Sequence, residues 1–285
     1  MVSDLTPLAG LPLRYLHLDN TAVTDLTPLQ GMRLELLNAS YTKVGSLEPI
    51  KGMPLRFLWL DHCTEVSDLR PFHGMSLTNF LVTDSRVRDF SPLQGLPLQS
   101  LSLARNKISN LAFLAGSTVR DLTLQDNPIT DLTPLHGLPL VSLSIPATSV
   151  RDLSPLIGAP LKQLVMNHCP NTTDLAPLLK IQSLERLQIS KGNPMLSVLR
   201  NHPGIQTIQL YTGTEGSNRP VAEFWAEYDA LKKWSGVRRQ SVAPTPLWQE
   251  RSDAAGAPGA ARTSPPRRSA PFQKRRRRCV RLGKR

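Results

Sequence analysis

Several things are scarce in this sequence, and each scarcity excludes something. Cysteine is limited to Cys63, Cys169 and Cys279, an odd number with no CxxC pair. That rules out a disulfide framework and fits a reducing compartment, so the expected localisation is cytoplasmic. Aromatic residues are 5% of the chain against 40% hydrophobic residues overall, so any core must be built mainly from leucine. No run of eighteen apolar residues occurs, which argues against a membrane-spanning helix. Met1-Val2-Ser3-Asp4 supplies neither the basic nor the apolar segment of a secretory signal.

Charge is plentiful but unevenly placed. The formal net charge is +12, yet fourteen of the 34 basic residues and only two of the 22 acidic ones lie after residue 235. The first 235 residues therefore hold twenty of each sign and are electroneutral. A basic footprint for nucleic acid spread over a whole domain is absent.

What the sequence does have is a repeat. Units of 21 residues start at Leu13, Leu34, Leu55, Leu77, Leu98, Val119, Leu140, Leu161 and Leu184, the third longer by one residue and the eighth by two. Each reads roughly L-x-x-L-x-L-x-x-T/N/C-x-V-x-D-L-x-P-L-x-G-L/M-P. In the clearest copy, Leu16 and Leu18 alternate with period two, as a short strand with one buried face requires. Thr21 and its equivalents, among them Cys63, Asn106 and Cys169, follow where the chain must turn. A small polar side chain there can satisfy backbone groups that would otherwise be orphaned. Asp25-Leu26-Thr27-Pro28-Leu29 then predicts one short helical turn, with Thr27 as N-cap, Pro28 at the first helical position and Gly31 just past the end. The aspartates, recurring once per unit, are expected to bond backbone amides of the adjacent turn. One unit cannot bury its leucines alone, so neighbours must stack on a shared core.

This pattern resembles the leucine-rich-repeat family, particularly its short bacterial, internalin-like variety. The resemblance covers residues 1 to about 211. It implies an α/β repeat solenoid: a right-handed superhelix with a parallel sheet on the concave face and short 3₁₀ or irregular turns on the convex face. It also implies that the sheet binds partners and that no cofactor is needed. More narrowly, the L-P/M-P punctuation and Phe224-Trp225-x-Glu227-Tyr228 resemble arrays that follow protein kinase domains in some environmental bacteria.

Three segments are expected: the array at 1–211, a capping segment with a helix at 212–235, and a disordered basic tail at 236–285. Val2 to Leu8 matches the second half of a unit, so the chain reads as part of a longer protein or as one with a misassigned start. The capping helix is predicted from about Val221 to Trp234, with Phe224, Tyr228, Leu231 and Trp234 along one stripe. The tail is rich in Pro, Ala and Arg and cannot bury enough apolar surface to fold. Within it, Lys274, Arg275, Arg276, Arg277 and Arg278 suit non-specific contact with phosphate backbones or acidic surfaces. The bland alternative is a solvated or non-native tail.

Candidate chemistry was weighed against the repeat. His62-Cys63 and His168-Cys169 suggest paired metal ligands, but they stand five repeats apart. At about 4.8 Å per strand that is roughly 24 Å, whereas zinc needs ligands at about 2.0 to 2.3 Å. Both cysteines are instead expected to point into the core. No G-x-G-x-x-G, H-R-D or D-F-G signature occurs, and Asp89-Phe90-Ser91 is the repeat's own Asp-Leu-Ser with Phe for Leu. Neither an enzyme site nor a metal site is expected.

Attention therefore falls on residues that escape the consensus. If the strand leucines point inward, the residues between them point out. Tyr15, His17, Leu36, Phe57, Trp59, Asp61 and Leu81 form the candidate partner-binding patch, with Asp19, Asn38, Ser40, Asn79 and Thr83 expected beside them. Later units expose Ser100, Ser102, Thr123, Gln125, Ser142 and Ser144, a polar surface. The expected function is a non-catalytic scaffold for a protein or peptide. The rivals are a docking arm of a bacterial serine/threonine kinase whose catalytic domain lies outside this chain, and nucleic-acid binding through the tail.

Overall fold

Alternation of leucine with polar residues at the start of each unit gives one short strand per unit. In the computed structural model these are β1 (Tyr15–His17), β2 (Leu36–Asn38), β3 (Phe57–Leu60), β4 (Asn79–Val82) and β5 (Ser100–Ser102). They continue as β6 (Asp121–Thr123), β7 (Ser142–Ser144), β8 (Gln163–Met166), β9 (Arg186–Ser190) and β10 (Thr207–Tyr211). The structure describes residues 1–190, 193–211 and 219–240, with side chains to residue 230. The tail 236–285 falls almost wholly outside them, as do Lys274 to Arg278, Cys279 and the side chains of Leu231 and Trp234.

The ten strands pair in parallel, in sequence order. Their register places the central leucine of each opposite that of the next, from Leu16 through Leu37, Leu58 and Phe80 to Ile208. That column is buried throughout. It joins the leucines of the return segments in one continuous core, as stacking of incomplete units requires.

Each unit returns through a 3₁₀ turn, such as Thr27–Leu29. The capping expectation needs correction here. Leu26, not Thr27, is the residue flanking the turn; Thr27 and Pro28 are its first two residues, and no side chain caps it from the flanking position. Asp25 does that work from one residue earlier, its Oδ1 accepting the Thr27 amide at 2.8 Å. Asp4, Asp68, Asp89, Asp131, Asp152 and Asp174 repeat the bond at 2.8 to 2.9 Å. The partner amide is in the turn that directly follows the aspartate, as the recurrence suggested. Gly31 closes the turn at φ 79°, where a side chain would be strained. Among the described residues two turns lack the proline, Leu196–Asn201 and Ala112–Leu114, and in the second Phe113 stacks on Phe90, ring centroids 5.7 Å apart.

The turn position after each strand satisfies buried carbonyls, as its residue types suggested. Thr42 Oγ1 donates to the Ala39 carbonyl at 2.6 Å, and Cys63 Sγ reaches the same oxygen at 3.0 Å. Asn127 Nδ2 bonds the carbonyls of Leu103 and Leu124, both at 2.9 Å. Cys63 and Cys169 are both buried, and burial pushes the Cys63 thiol above its ordinary pKa.

At the far end, β11 (Arg219–Pro220) pairs antiparallel with β10, an element the sequence did not reveal. It leads into the helix α1 (Val221–Gln240), which begins where expected and extends past Trp234. Phe224 and Trp225 are buried on the core. Arg200 ties the helix down, pairing with Asp229 at 2.5 and 3.0 Å and lying 4.8 Å from the Trp225 ring. An exposed strand edge is thereby covered.

Candidate functional site

Two rows of side chains run across the open face of the sheet. Register places Tyr15, Leu36, Phe57 and Asn79 side by side in one row, and His17, Asn38, Trp59 and Leu81 in the next. Six of the seven predicted site residues are therefore brought together over β1 to β4, and Asp61 follows directly after β3. Tyr15 is 59% exposed and His17 is exposed, whereas Leu36, Phe57, Trp59, Asp61 and Leu81 are half-buried. The aromatics lean on neighbours rather than standing free: the His17 and Trp59 rings lie 6.1 Å apart across Asn38.

Two flanking residues depart from expectation. Ser40 and Thr83, predicted to point out, are only 7% and 5% exposed. They sit where the chain leaves the sheet, and their hydroxyls serve neighbouring units. Ser40 Oγ accepts the Asp61 amide at 3.2 Å, and the Thr83 hydroxyl donates to Asp61 Oδ1.

A third column lies at the end of the strands and was missed. Asn20, Tyr41, His62, Asp84, Arg105, Asp126, Ala147 and His168 all adopt positive φ between 50° and 57°. Such a conformation costs a non-glycine residue of order 1 kcal/mol. Bonds between units hold it in place: the Tyr41 amide donates to the Asp61 carbonyl at 2.7 Å, and Arg105 to Gln125 at 2.9 Å. The one available clue was spacing, since each of these residues immediately precedes the turn position in its unit.

That column gathers ionisable groups beside the aromatic patch. Tyr41 stacks on His62 at 4.6 Å. His62 Nε2 lies 3.1 Å from Asp84 Oδ2, which also accepts Arg105 Nε at 2.8 Å. His62 Nδ1 lies 3.1 Å from Asp61 Oδ1, close in distance but outside hydrogen-bond geometry. Burial pushes the Asp61 carboxyl up. The Thr83 hydroxyl, the His62 ring and the Tyr41 hydroxyl together outweigh that and leave it below the ordinary value. The same Asp61 charge raises the Tyr41 phenol. These groups pair with one another: Asp61 with Thr83, His62 and Tyr41, and Asp84 with His62 and Arg105.

Other parts of the face are plainer. Over β5 to β7 the outward residues are Ser100, Ser102, Asp121, Thr123, Ser142 and Ser144. Over β8 to β10 a shallow groove of about 260 Å³ is lined by Gln163, Arg186, Gln188, Thr207 and Gln209, with no aromatic anchor. His168 packs against Tyr211 at 4.8 Å, far along the sheet from His62. Among the described residues no helix is long and apolar enough to cross a membrane.

No family model matches the sequence, and no curated protein matches it. Solved structures do. An internalin (InlF) from Listeria monocytogenes is similar at 26% identity and TM-score 0.62, covering 74% of this chain and 71% of that one. Internalin C2 from the same organism is 24% identical with TM-score 0.45, covering 70% of this chain and 80% of its own.

Proposed function

We propose that this chain, whose fold is a leucine-rich-repeat solenoid of the internalin kind, is a non-catalytic scaffold that binds a protein or peptide on the open sheet face over β1 to β4. The observation that carries the reading is the concentration of Tyr15, Phe57 and Trp59, with Leu36 and Leu81, on four adjacent strands, next to a stretch over β5 to β7 made of small polar residues and Asp121. Aromatic side chains lose little entropy on binding and offer large apolar area, which is why they anchor interfaces. Partial burial strengthens the argument, because a ring already held by neighbours is preorganised for a partner. The odd cysteine count without a CxxC pair, with Cys63 and Cys169 both free, supports work in a reducing compartment such as the cytoplasm.

The test begins with recovery of partners from native lysate and continues with titration of the one recovered. Trp59→Ala is expected to weaken binding by about 2 kcal/mol, roughly thirtyfold, with an unchanged thermal midpoint. Ser144→Ala, on β7, is expected to change affinity by less than about 0.5 kcal/mol. Equal affinities for wild type and Trp59→Ala would move the site off this patch.

A further inference from the structure

Outward positions over the first eight strands include no lysine and no arginine. From Tyr15 to Asn167 they carry three aspartates, Asp19, Asp61 and Asp121, with His17 on β1, and the first lysine or arginine on the face is Arg186 in β9. Basic side chains stand instead on the edges. Arg14 and Lys162 at the strand starts meet Glu35 and Glu185, and Arg105 meets Asp84. Arg56 and Arg120 precede their strands on that same edge. A chain that is neutral over its first 235 residues has thus kept one sign of charge off its aromatic face.

The two carboxylates nearest the aromatics are arranged as a pair. Asp19 and Asp61 lie two strands apart, about 10 Å, with the small, buried Ser40 between them. Asp19 accepts bonds from neutral amides only, Asn38 Nδ2 at 3.1 Å and Asn20 Nδ2 at 3.2 Å. Asp61 accepts the Thr83 and Tyr41 hydroxyls and lies 3.1 Å from His62 Nδ1, and Asp19 lies 4.0 Å from His17 Nδ1; among the described residues neither carboxylate has a lysine or arginine partner. One row below, the rings of His17 and Trp59 border the same gap. A cation set over Ser40 lies between two carboxylates and beside the row that holds Trp59, and the carboxylates favour the charge more strongly once water is excluded.

We infer that the partner on this face is a cationic, amphipathic peptide segment, which places an arginine or lysine between Asp19 and Asp61 and apolar side chains on Trp59 and Phe57. The inference rests on the assignment of β1 to β4 as the binding face. Charge complementarity names the occupant: an acidic segment would bring its carboxylates against Asp19 and Asp61 with no lysine or arginine on the first eight strands of the face to meet them.

Fluorescent peptides of about ten residues, alternating Leu with Arg, Leu with Glu or Leu with Ser, are titrated against the full chain and its variants. Only the part of each signal abolished by Trp59→Ala is counted, which sets aside binding to the basic tail. The Leu-Arg peptide is expected to bind at least about tenfold more tightly than the Leu-Ser one, and the Leu-Glu peptide not at all. Asp19→Asn with Asp61→Asn should remove that advantage, and about 0.5 M salt should reduce it. Melting curves confirm that the variants fold. Trp59-dependent binding that is equal for the three peptides, or unaffected by the aspartate changes, overturns the cationic partner while leaving the face in place. Peptide binding that never depends on Trp59 overturns the face itself.

Discussion

Strands β1 to β4 and strands β5 to β7 rest on the same core and differ where they look outward. Inward, Leu37 and Leu58 in the first stretch match Leu122 and Leu143 in the second, all at or near zero exposure. Outward, Phe57 and Trp59 give way to serines, a threonine and Asp121. The turns differ too: Thr42 and Cys63 serve the first stretch, whereas buried Asn106 and Asn127 serve the boundary of the second. Stacking constrains whatever points at a neighbouring unit, so inward residues repeat. Nothing in the stack constrains the open face, and variation there is where function can be written.

The comparison breaks most severely if the shared core is charged. Leu101 is 1% exposed at the centre of the buried column. Leu101→Asp places an unpaired carboxylate there and is expected to cost about 4 kcal/mol or more. Because each unit contacts mainly its neighbours, hydrogen exchange should accelerate first around residues 77–139, while β1 and β9 keep their protection. A loss spread evenly from end to end would show that the two stretches form one cooperative block.

A smaller effect separates the two kinds of turn. Asn127 bonds three carbonyls through Nδ2, and its Oδ1 accepts the amides of Asn106 at 3.1 Å and Ile108 at 2.9 Å. Asn127→Ala leaves several buried backbone groups without partners and should cost about 3 kcal/mol. Thr148 makes one backbone bond, to Ile145 at 2.8 Å, so Thr148→Val should cost only about 1 kcal/mol. Denaturant midpoints of the two variants measure the difference. Similar costs would mean that the asparagine network adds nothing to a threonine turn.

The inward half of this design was legible in the sequence because it repeats. Leucine spacing gave the strands, their common face and the polar turn, and Asp-Leu-x-Pro-Leu gave the position of each 3₁₀ turn. What stayed hidden depends on contacts between units or on backbone angles that residue type does not declare. Tyr41, Arg105 and Ala147 are not habitual residues of the left-handed region, yet the stack holds them there. Ser40 and Thr83 follow the outward alternation, and only the bonds with Asp61 in neighbouring units explain their burial. Thr27 matched a capping pattern, but in so short a turn the capping bond comes from Asp25 instead. The candidate patch itself followed from strand parity; its leaning aromatics and its edge column of ionisable groups did not.

The smallest effect concerns the aspartates that both stretches share. Asp25 and Asp131 lie below the ordinary carboxylate pKa, held there by the hydroxyls and then the amides of Thr27 and Thr133. Asp152 is lowered in the same way by Ser154. A carboxyl whose folded pKa is depressed contributes stability above its unfolded pKa, and that contribution is lost as pH falls through the folded value. The window therefore lies below about pH 4, the unfolded carboxylate value. One unit supplies an internal control, because Asn110 Oδ1 accepts the Ala112 amide at 2.8 Å with a side chain that does not titrate. Amide NMR signals of Thr27 and Thr133 should move through an acid titration with midpoints below that of a free aspartate, and Ala112 should stay still. Asp131→Asn should abolish the movement at Thr133 and keep the turn intact, since Asn110 already makes the same bond. A Thr133 signal that titrates after that replacement would place the responsive charge elsewhere in the stack.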